Sequence, residues 1–221
     1  PVYDKPMIFY PLSVLMMADI RDIAIVCDPD FVDSYRLLLG DGARFGIRLS
    51  YVIQDLPLGI PDALLRTEPL YNGSKVAVIL GDNIFYGNHL CHELSLNRAE
   101  SDFARIFSYA VQDPSSFGVV DMDKNNKVVS IEEKPRCPKS KSAITGLYVF
   151  PEDVYEICRK LSISSRGEFE ITDILKSYLQ FDRLSVTALG RGMTWLDAGN
   201  PDSLMMAAEL VSVLELRQGL K

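Results

Sequence analysis

Two acids close apolar runs that lie far apart in the chain. Asp82 follows Val76-Ala77-Val78-Ile79-Leu80-Gly81, and Asp197 follows Met193-Thr194-Trp195-Leu196. Small or amide residues come next in each case, Asn83 after the first and Ala198-Gly199-Asn200 after the second. In open α/β sheets the carboxyl ends of the strands face the ligand crevice, so each acid is a candidate for a metal or phosphate site. If the two strands share a sheet and point the same way, both carboxylates can converge on one divalent cation. Mg²⁺ suits such a pair, because it binds through one or two carboxylates and keeps waters and substrate phosphates as its other ligands. The same residues also fit Asx-type turns that close ordinary core strands.

Other polar groups fall where strands or helices are expected to end. In Glu132-Glu133-Lys134-Pro135 the proline predicts a strand end, which would release Glu133 and Lys134 from alternating to opposite faces. Lys134 can then act as a point charge for a phosphate, although a solvated edge strand has the same composition. Arg166-Gly167-Glu168, with Glu170 and Asp173 beyond it, reads as a helix start with acids near its positive end. Gln54, ahead of a loop containing Pro57, Gly59 and Pro61, can read a base edge or simply end a strand. His89, Cys91 and His92 are close in sequence but match no zinc spacing, and a surface loop accounts for them.

The elements that must hold these groups alternate in type. Residues 6–18 carry apolar side chains at helical spacing, with Pro11 as a defect. Ile23 to Cys27 reads as a buried strand, and Asp28-Pro29 has the chemistry of an N-cap and first turn for a helix ending near Gly40. Ile47 to Gln54 reads as a strand, followed by a short helix through Leu65. The run at Val76 reads as a strand buried on both faces. Strand–helix alternation at this spacing predicts a mainly parallel sheet covered on both sides. Beyond residue 100 the pattern changes. Phe103 to Val111 is strand-like, and Phe117–Asp123 and Lys127–Glu133 flank Lys124-Asn125-Asn126 as a hairpin. Ala143 to Phe150 is a further strand. Helices are expected to about Leu161 and over Phe169–Leu179, with an extended run at Leu184–Leu189. Asn200-Pro201 caps a last helix reaching Gln218, with Gly219 as its stop.

The 221 residues, 48% of them hydrophobic, suit one domain with a sizeable core. A net charge of -7 argues against nucleic acid or anionic membrane as the main partner. No apolar run is long enough for a spanning helix, and no signal segment opens the chain. The four cysteines are scattered, which fits a reducing compartment, so the cytoplasm is the default.

Seven segments in order resemble glucose-1-phosphate thymidylyltransferases: Pro1–Ile8, Leu80–Gly87, Phe117–Val120, Ile131–Pro135, Thr145–Tyr148, Arg166–Asp173 and Trp195–Gly199. The resemblance implies an α/β nucleotide-diphospho-sugar transferase fold, with a Rossmann-like mixed, mainly parallel sheet, helices on both faces and a β-hairpin in the sugar-binding half. It implies one domain over 1–221, with a nucleotide-binding half at 1–100 and a sugar-phosphate half at 101–221. The implied reaction makes dTDP-glucose and pyrophosphate from dTTP and glucose 1-phosphate with Mg²⁺, on the way to dTDP-rhamnose and surface polysaccharide. A homo-oligomer, a tetramer in the intact family, is implied as well. By position, Asp82 and Asp197 resemble the metal ligands, Lys134 the sugar-phosphate ligand and Arg166 a phosphate contact. Glu133, Gly118, Tyr148 and Glu168 resemble sugar-pocket residues, Gln54 and Gly59 the base-reading loop, and Phe117 and Trp195 further substrate-site positions.

The chain also departs from the family pattern. Phe117 stands where Tyr is common, Ala198 and Asn200 stand where Thr is usual, and Pro61-Asp62 replaces Ala-Gln or Ala-Asp, leaving base selectivity open. The family's first strand and Gly-rich triphosphate loop would precede Pro1, and a helical region would follow Lys221. The expectation is therefore that this chain alone turns over weakly or not at all. A sugar-nucleotide binding or regulatory protein without catalysis is the alternative, and an α/β interaction domain leaves the site-type residues unexplained.

Overall fold

The computed structural model describes residues 1–87, 90–96 and 102–219. In chain order, α1 (Phe9–Met17), β1 (Asp22–Cys27), α2 (Val32–Leu39), β2 (Arg48–Ile53) and α3 (Ile60–Tyr71) form the first third. Then come β3 (Val76–Ile79), β4 (Asn83–Tyr86), α4 (Leu90–Leu96), β5 (Ala104–Ala110), β6 (Gly118–Met122) and β7 (Val128–Glu133). The last third holds β8 (Ser142–Phe150), α5 (Val154–Cys158), α6 (Ile171–Gln180), β9 (Leu184–Ala188), β10 (Thr194–Asp197) and α7 (Pro201–Gln218).

β8 is the axis of the sheet. It pairs antiparallel with β3, β5 and β6, and β6 continues into the β6–β7 hairpin. Its alternation divides the core. Ile144, Tyr148 and Phe150 pack with Val154, Tyr155, Ile174 and Tyr178 of α5 and α6, whereas Ala143 and Leu147 face Val14, Leu94 and Trp195. Helices thus cover both faces of a mixed sheet. Parallel pairing joins β1 to β2 and β5 to β9. The antiparallel share is larger than strand–helix alternation suggests, because β8 runs against all three of its neighbours.

Several local expectations need correction. Asp28 does not cap α2: its Oδ1 accepts the Asp30 N–H at 2.8 Å, closing an Asx turn, and the helix begins at Val32. Because α1 starts at Phe9, Pro11 lies in its first turn, where a missing N–H costs nothing. α3 runs past Leu65 to Tyr71 with Pro69 inside its last turn. α5 stops at Cys158 rather than Leu161. β3 is half-buried throughout rather than buried on both faces. It pairs with β8 on one side, and on the other a cavity of about 860 Å³ separates it from β1. β4, a four-residue strand directly after Asp82, is an element the sequence pattern does not announce. The last helix is as expected: Asn200 and Ser203 form a reciprocal capping box, and Gly219 closes it with φ +66°.

Candidate active site

Asp82 and Asp197 come together, but not through two strands pointing the same way. β10 pairs antiparallel with β4, setting Asp197 opposite Asn83, and the Ala198 N–H donates to the Asp82 carbonyl at 2.8 Å. The two acids are therefore neighbours across a ladder whose partner strand starts one residue after Asp82. Both carboxylates face Gly199: a Cβ there would lie 3.0 Å from Asp197 Oδ1 and 3.1 Å from Asp82 Oδ2. Burial, and then the charge of Asp82, push the Asp197 carboxyl above its usual range, against the Gly199 N–H and Lys134, which favour its ionised form. A cation between the two would relieve that repulsion. An all-oxygen pair suits a hard divalent ion that takes its remaining ligands from water and phosphate. Among the described residues no cluster of three or more acids, histidines or cysteines could hold a metal. His92 is exposed, while His89 lies outside the described residues.

A second group of charges lines a cavity of about 230 Å³ beside this pair. Gly59, Phe117, Gly118, Glu133, Lys134, Tyr148, Arg166, Glu168, Trp195 and Asp197 all border it, which gathers every expected site residue except Gln54 and Asp82. β7 ends at Glu133, and Lys134 takes φ +41°, outside the extended region, with its N–H donating to the Phe117 carbonyl at 3.0 Å. That break in alternation is what turns two consecutive residues toward one cavity. Glu132 keeps the strand pattern and pairs elsewhere, with Lys139 at 2.7 Å. Lys134 forms no ion pair within 4.0 Å among the described residues. Burial, then Glu170, raise the Glu133 carboxyl above its ordinary value, partly opposed by Lys134 and Arg166.

Arg166, expected at a phosphate, is surrounded by acids instead. Its guanidinium lies 3.4 Å from Glu133, 3.4 Å from Glu168 and 3.6 Å from Glu170. Ser164 donates to Glu170 Oε1 at 2.7 Å and steadies that carboxylate. Trp195 is largely buried, with its ring edge-to-face on Phe117 at 5.1 Å. Tyr148, at the edge of the cavity, is buried and stacks on Phe150.

Gln54 borders the larger cavity, which shares Gly59 and Glu168 with the smaller. Its NH₂ donates to the Gly59 carbonyl at 3.1 Å and to Asp62 Oδ2 at 2.7 Å, leaving Oε1 as the group it can offer to a ligand. Asp62 is itself held by Arg66 at 2.9 Å. Gly59 has φ +98°, and a Cβ on it would meet the Phe169 carbonyl at 2.2 Å. With the Phe169 N–H donating to Leu58, this close approach docks the loop of Gln54 against the loop of Glu168.

Sequence reasoning gave no role to Asn83 or Gly146, and named Asp62 only as a departure beside the base loop. Asn83 stood beside Asp82 in the same motif. Its burial, at 2% exposure, is what marks it, and that follows only from the pairing of β4.

Comparison with known proteins gives the family. The model of the nucleotidyl transferase family matches residues 1–212. The glucose-1-phosphate thymidylyltransferase of Mycolicibacterium smegmatis is 49% identical over 222 residues, covering 100% of this chain and 76% of the relative. That of Neisseria gonorrhoeae is 47% identical over 220 residues with the same coverage, 100% and 76%. A Bacillus anthracis structure assigned as a glucose-1-phosphate thymidylyltransferase, in complex with sucrose, superposes with a TM-score of 0.87 at 35% identity, over 95% of this chain and 84% of that one. A UDP-glucose pyrophosphorylase bound to UDP-glucose shares the fold at 23% identity, with a TM-score of 0.82 over 96% of this chain and 89% of its own. With paired acids, an adjoining charged cavity and relatives that match along its whole length, the chain belongs to the glucose-1-phosphate thymidylyltransferases of the nucleotidyl transferase family.

Proposed function

We propose that the chain joins glucose 1-phosphate to the thymidylyl group of dTTP, giving dTDP-glucose and pyrophosphate, with Mg²⁺ held by Asp82 and Asp197. The observation that carries this reading is the convergence of those carboxylates at Gly199, with Asp197 also bordering the cavity that holds Lys134 and Glu133. An oxygen of the sugar phosphate attacks the α-phosphorus in line, the bond from that phosphorus to its bridging oxygen breaks, and pyrophosphate leaves with the electron pair. When bound, Mg²⁺ neutralises charge on the nucleotide phosphates. The protein's own part is positioning and charge compensation rather than covalent chemistry.

Lys134, unpaired beside the acids, holds the sugar phosphate. Glu133, Glu168, Gly118 and Tyr148 meet the sugar, with Phe117 and Trp195 behind them. Arg166 exchanges part of its carboxylate contact for phosphate. Gln54 presents Oε1 to a base N–H, an arrangement suited to thymine N3–H, while Gly59 sets the loop. Residues 1–100 supply the nucleotide half and residues 101–221 the sugar half. A cytoplasmic location fits the free thiols of Cys27, Cys137 and Cys158. Exposed Met205, Met206 and Leu216 on α7 fit association into a homo-oligomer. A product that feeds dTDP-rhamnose and surface polysaccharide completes the reading.

Calorimetry with dTDP-glucose, paired with an assay of pyrophosphate release from dTTP, tests it. Expected are binding that Lys134→Ala weakens by about 100-fold, the scale of losing a charged contact to phosphate, and release that depends on both glucose 1-phosphate and Mg²⁺. Tight UDP- or ADP-glucose binding with none of dTDP-glucose would overturn the base assignment. Binding that persists with no release at all would replace the enzyme with a sugar-nucleotide binding protein.

A further inference from the structure

We infer that Asn83 is a positioning residue that aims one oxygen of Asp82 at the cation, and that the indole N–H of Trp195 holds Asn83 in that orientation. The inference rests on the reading of Asp82 and Asp197 as cation ligands. Asn83 opens β4 and is 2% exposed, so its amide groups need protein partners. Its Oδ1 accepts two N–H bonds, from Trp195 Nε1 at 2.6 Å and from the Gly146 backbone at 2.9 Å. Neither donor can act as an acceptor, so the carbonyl end of the amide must face them and the NH₂ end must face away. On that side Nδ2 donates to Asp82 Oδ1 at 2.9 Å.

The orientation of this amide is thus fixed by chemistry and not by a choice between equivalent flips. One consequence concerns the carboxylate. With Oδ1 engaged by Asn83, the other oxygen, Oδ2, is the one on the Gly199 side, where Asp197 Oδ1 also lies. A freely rotating carboxylate would have to be ordered when the cation arrives, whereas this one is ordered beforehand. Gly146 belongs to the same device: a Cβ there would stand 2.6 Å from Asn83 Oδ1 and 2.7 Å from Leu80 Cγ, so only glycine lets the β8 backbone come close enough to donate. Strands β4, β8 and β10 therefore meet in one side chain, and the reach of β10 to it is the only tryptophan in the chain.

Manganese affinity, read by electron paramagnetic resonance of free Mn²⁺, tests this on the chain and on Trp195→Phe, Asn83→Ala and Asp197→Asn. Trp195→Phe keeps a packed ring and removes only the donor, and should weaken Mn²⁺ binding about fivefold, the worth of one such hydrogen bond. Asn83→Ala should weaken it at least about tenfold, and Asp197→Asn should abolish it. In the unsubstituted chain the Trp195 fluorescence should change as Mg²⁺ is added, and in Asn83→Ala that response should be lost. A role limited to holding strands together would lower the melting temperature and leave Mn²⁺ affinity alone. Affinities of Trp195→Phe and Asn83→Ala within twofold of the unsubstituted chain, with Asp197→Asn not binding, would overturn the inference and leave the cation reading standing. Should Asn83→Ala lack a cooperative melt, Trp195→Phe decides the matter alone. An unsubstituted chain that fails to bind Mn²⁺ would overturn the cation reading, and this inference with it.

Discussion

The two flanks of β3 are built in opposite ways. Toward β8 the backbone is paired, most side chains beyond it are buried, and at its end Asn83, Trp195 and Gly146 of three strands join with Asp82 of the turn before β4. Toward β1 there is a cavity of about 860 Å³ lined by half-buried Val76, Ala77, Val78 and Ile79. Charged site residues cluster on the packed flank. On the packed flank the side chains that hold the Asp82 carboxylate, Asn83 of β4 and Trp195 of β10, meet the backbone of β8 at Gly146, whereas Gln54 borders the roomier flank.

The contrast can be broken by substitution, most strongly on the packed flank. Leu147→Ala, at a position with 0% exposure facing α1 and Trp195, should cost about 2–5 kcal/mol, seen as an equal drop in unfolding free energy by urea titration. Gly146→Ala should cost about 1–3 kcal/mol through overpacking against Asn83 and Leu80, and should weaken Mn²⁺ binding with it. The contrast is sharpened by Asp197→Asn. Because the carboxyl of Asp197 is raised in the folded state, folding favours its protonated form. Its contribution is most favourable below the unfolded value near 3.9 and is lost as pH rises through the folded value. Cation-free protein should therefore melt lower as pH rises from about 4 toward neutrality. Asp197→Asn should reduce that slope and raise the melting midpoint at pH 7. The smallest effect belongs to the open flank: Val78→Ala should cost less than about 1 kcal/mol, because its side chain already borders a cavity. A loss at Val78 equal to that at Leu147 would erase the distinction.

Sequence patterns revealed the elements whose causes are local. A strand-like run marked β8, turn chemistry marked the β6–β7 hairpin, and a cap with proline marked α7. Patterns of this kind also placed Lys134 beside Glu133, since Pro135 signals the end of β7. What depends on distant partners was not legible. Five apolar residues from Val76 suggest burial on both faces, yet how many neighbours a strand acquires is decided by other segments. β4 is too short and too close to Asp82 to show a period, so the antiparallel link that unites the two acids was invisible. The carboxylates around Arg166 add what motif position did not show: its side-chain partners depend on how two loops fold back on each other.

That folding back has a consequence for binding equilibria. Gly59 and Phe169 lock the loop of Gln54 to the loop of Arg166 and Glu168 through a backbone hydrogen bond of 2.9 Å from Phe169 N–H to the Leu58 carbonyl. If, as proposed, the nucleotide meets one of these loops and the sugar phosphate the other, the two would not bind independently. Whatever factor dTTP contributes to the affinity for glucose 1-phosphate, glucose 1-phosphate must return to dTTP. We predict that calorimetric dissociation constants measured in both orders will show this reciprocal gain, and that equal affinities with and without the other substrate would rule it out. Loop docking would then make the affinity for each substrate depend on the other through the close approach at one glycine.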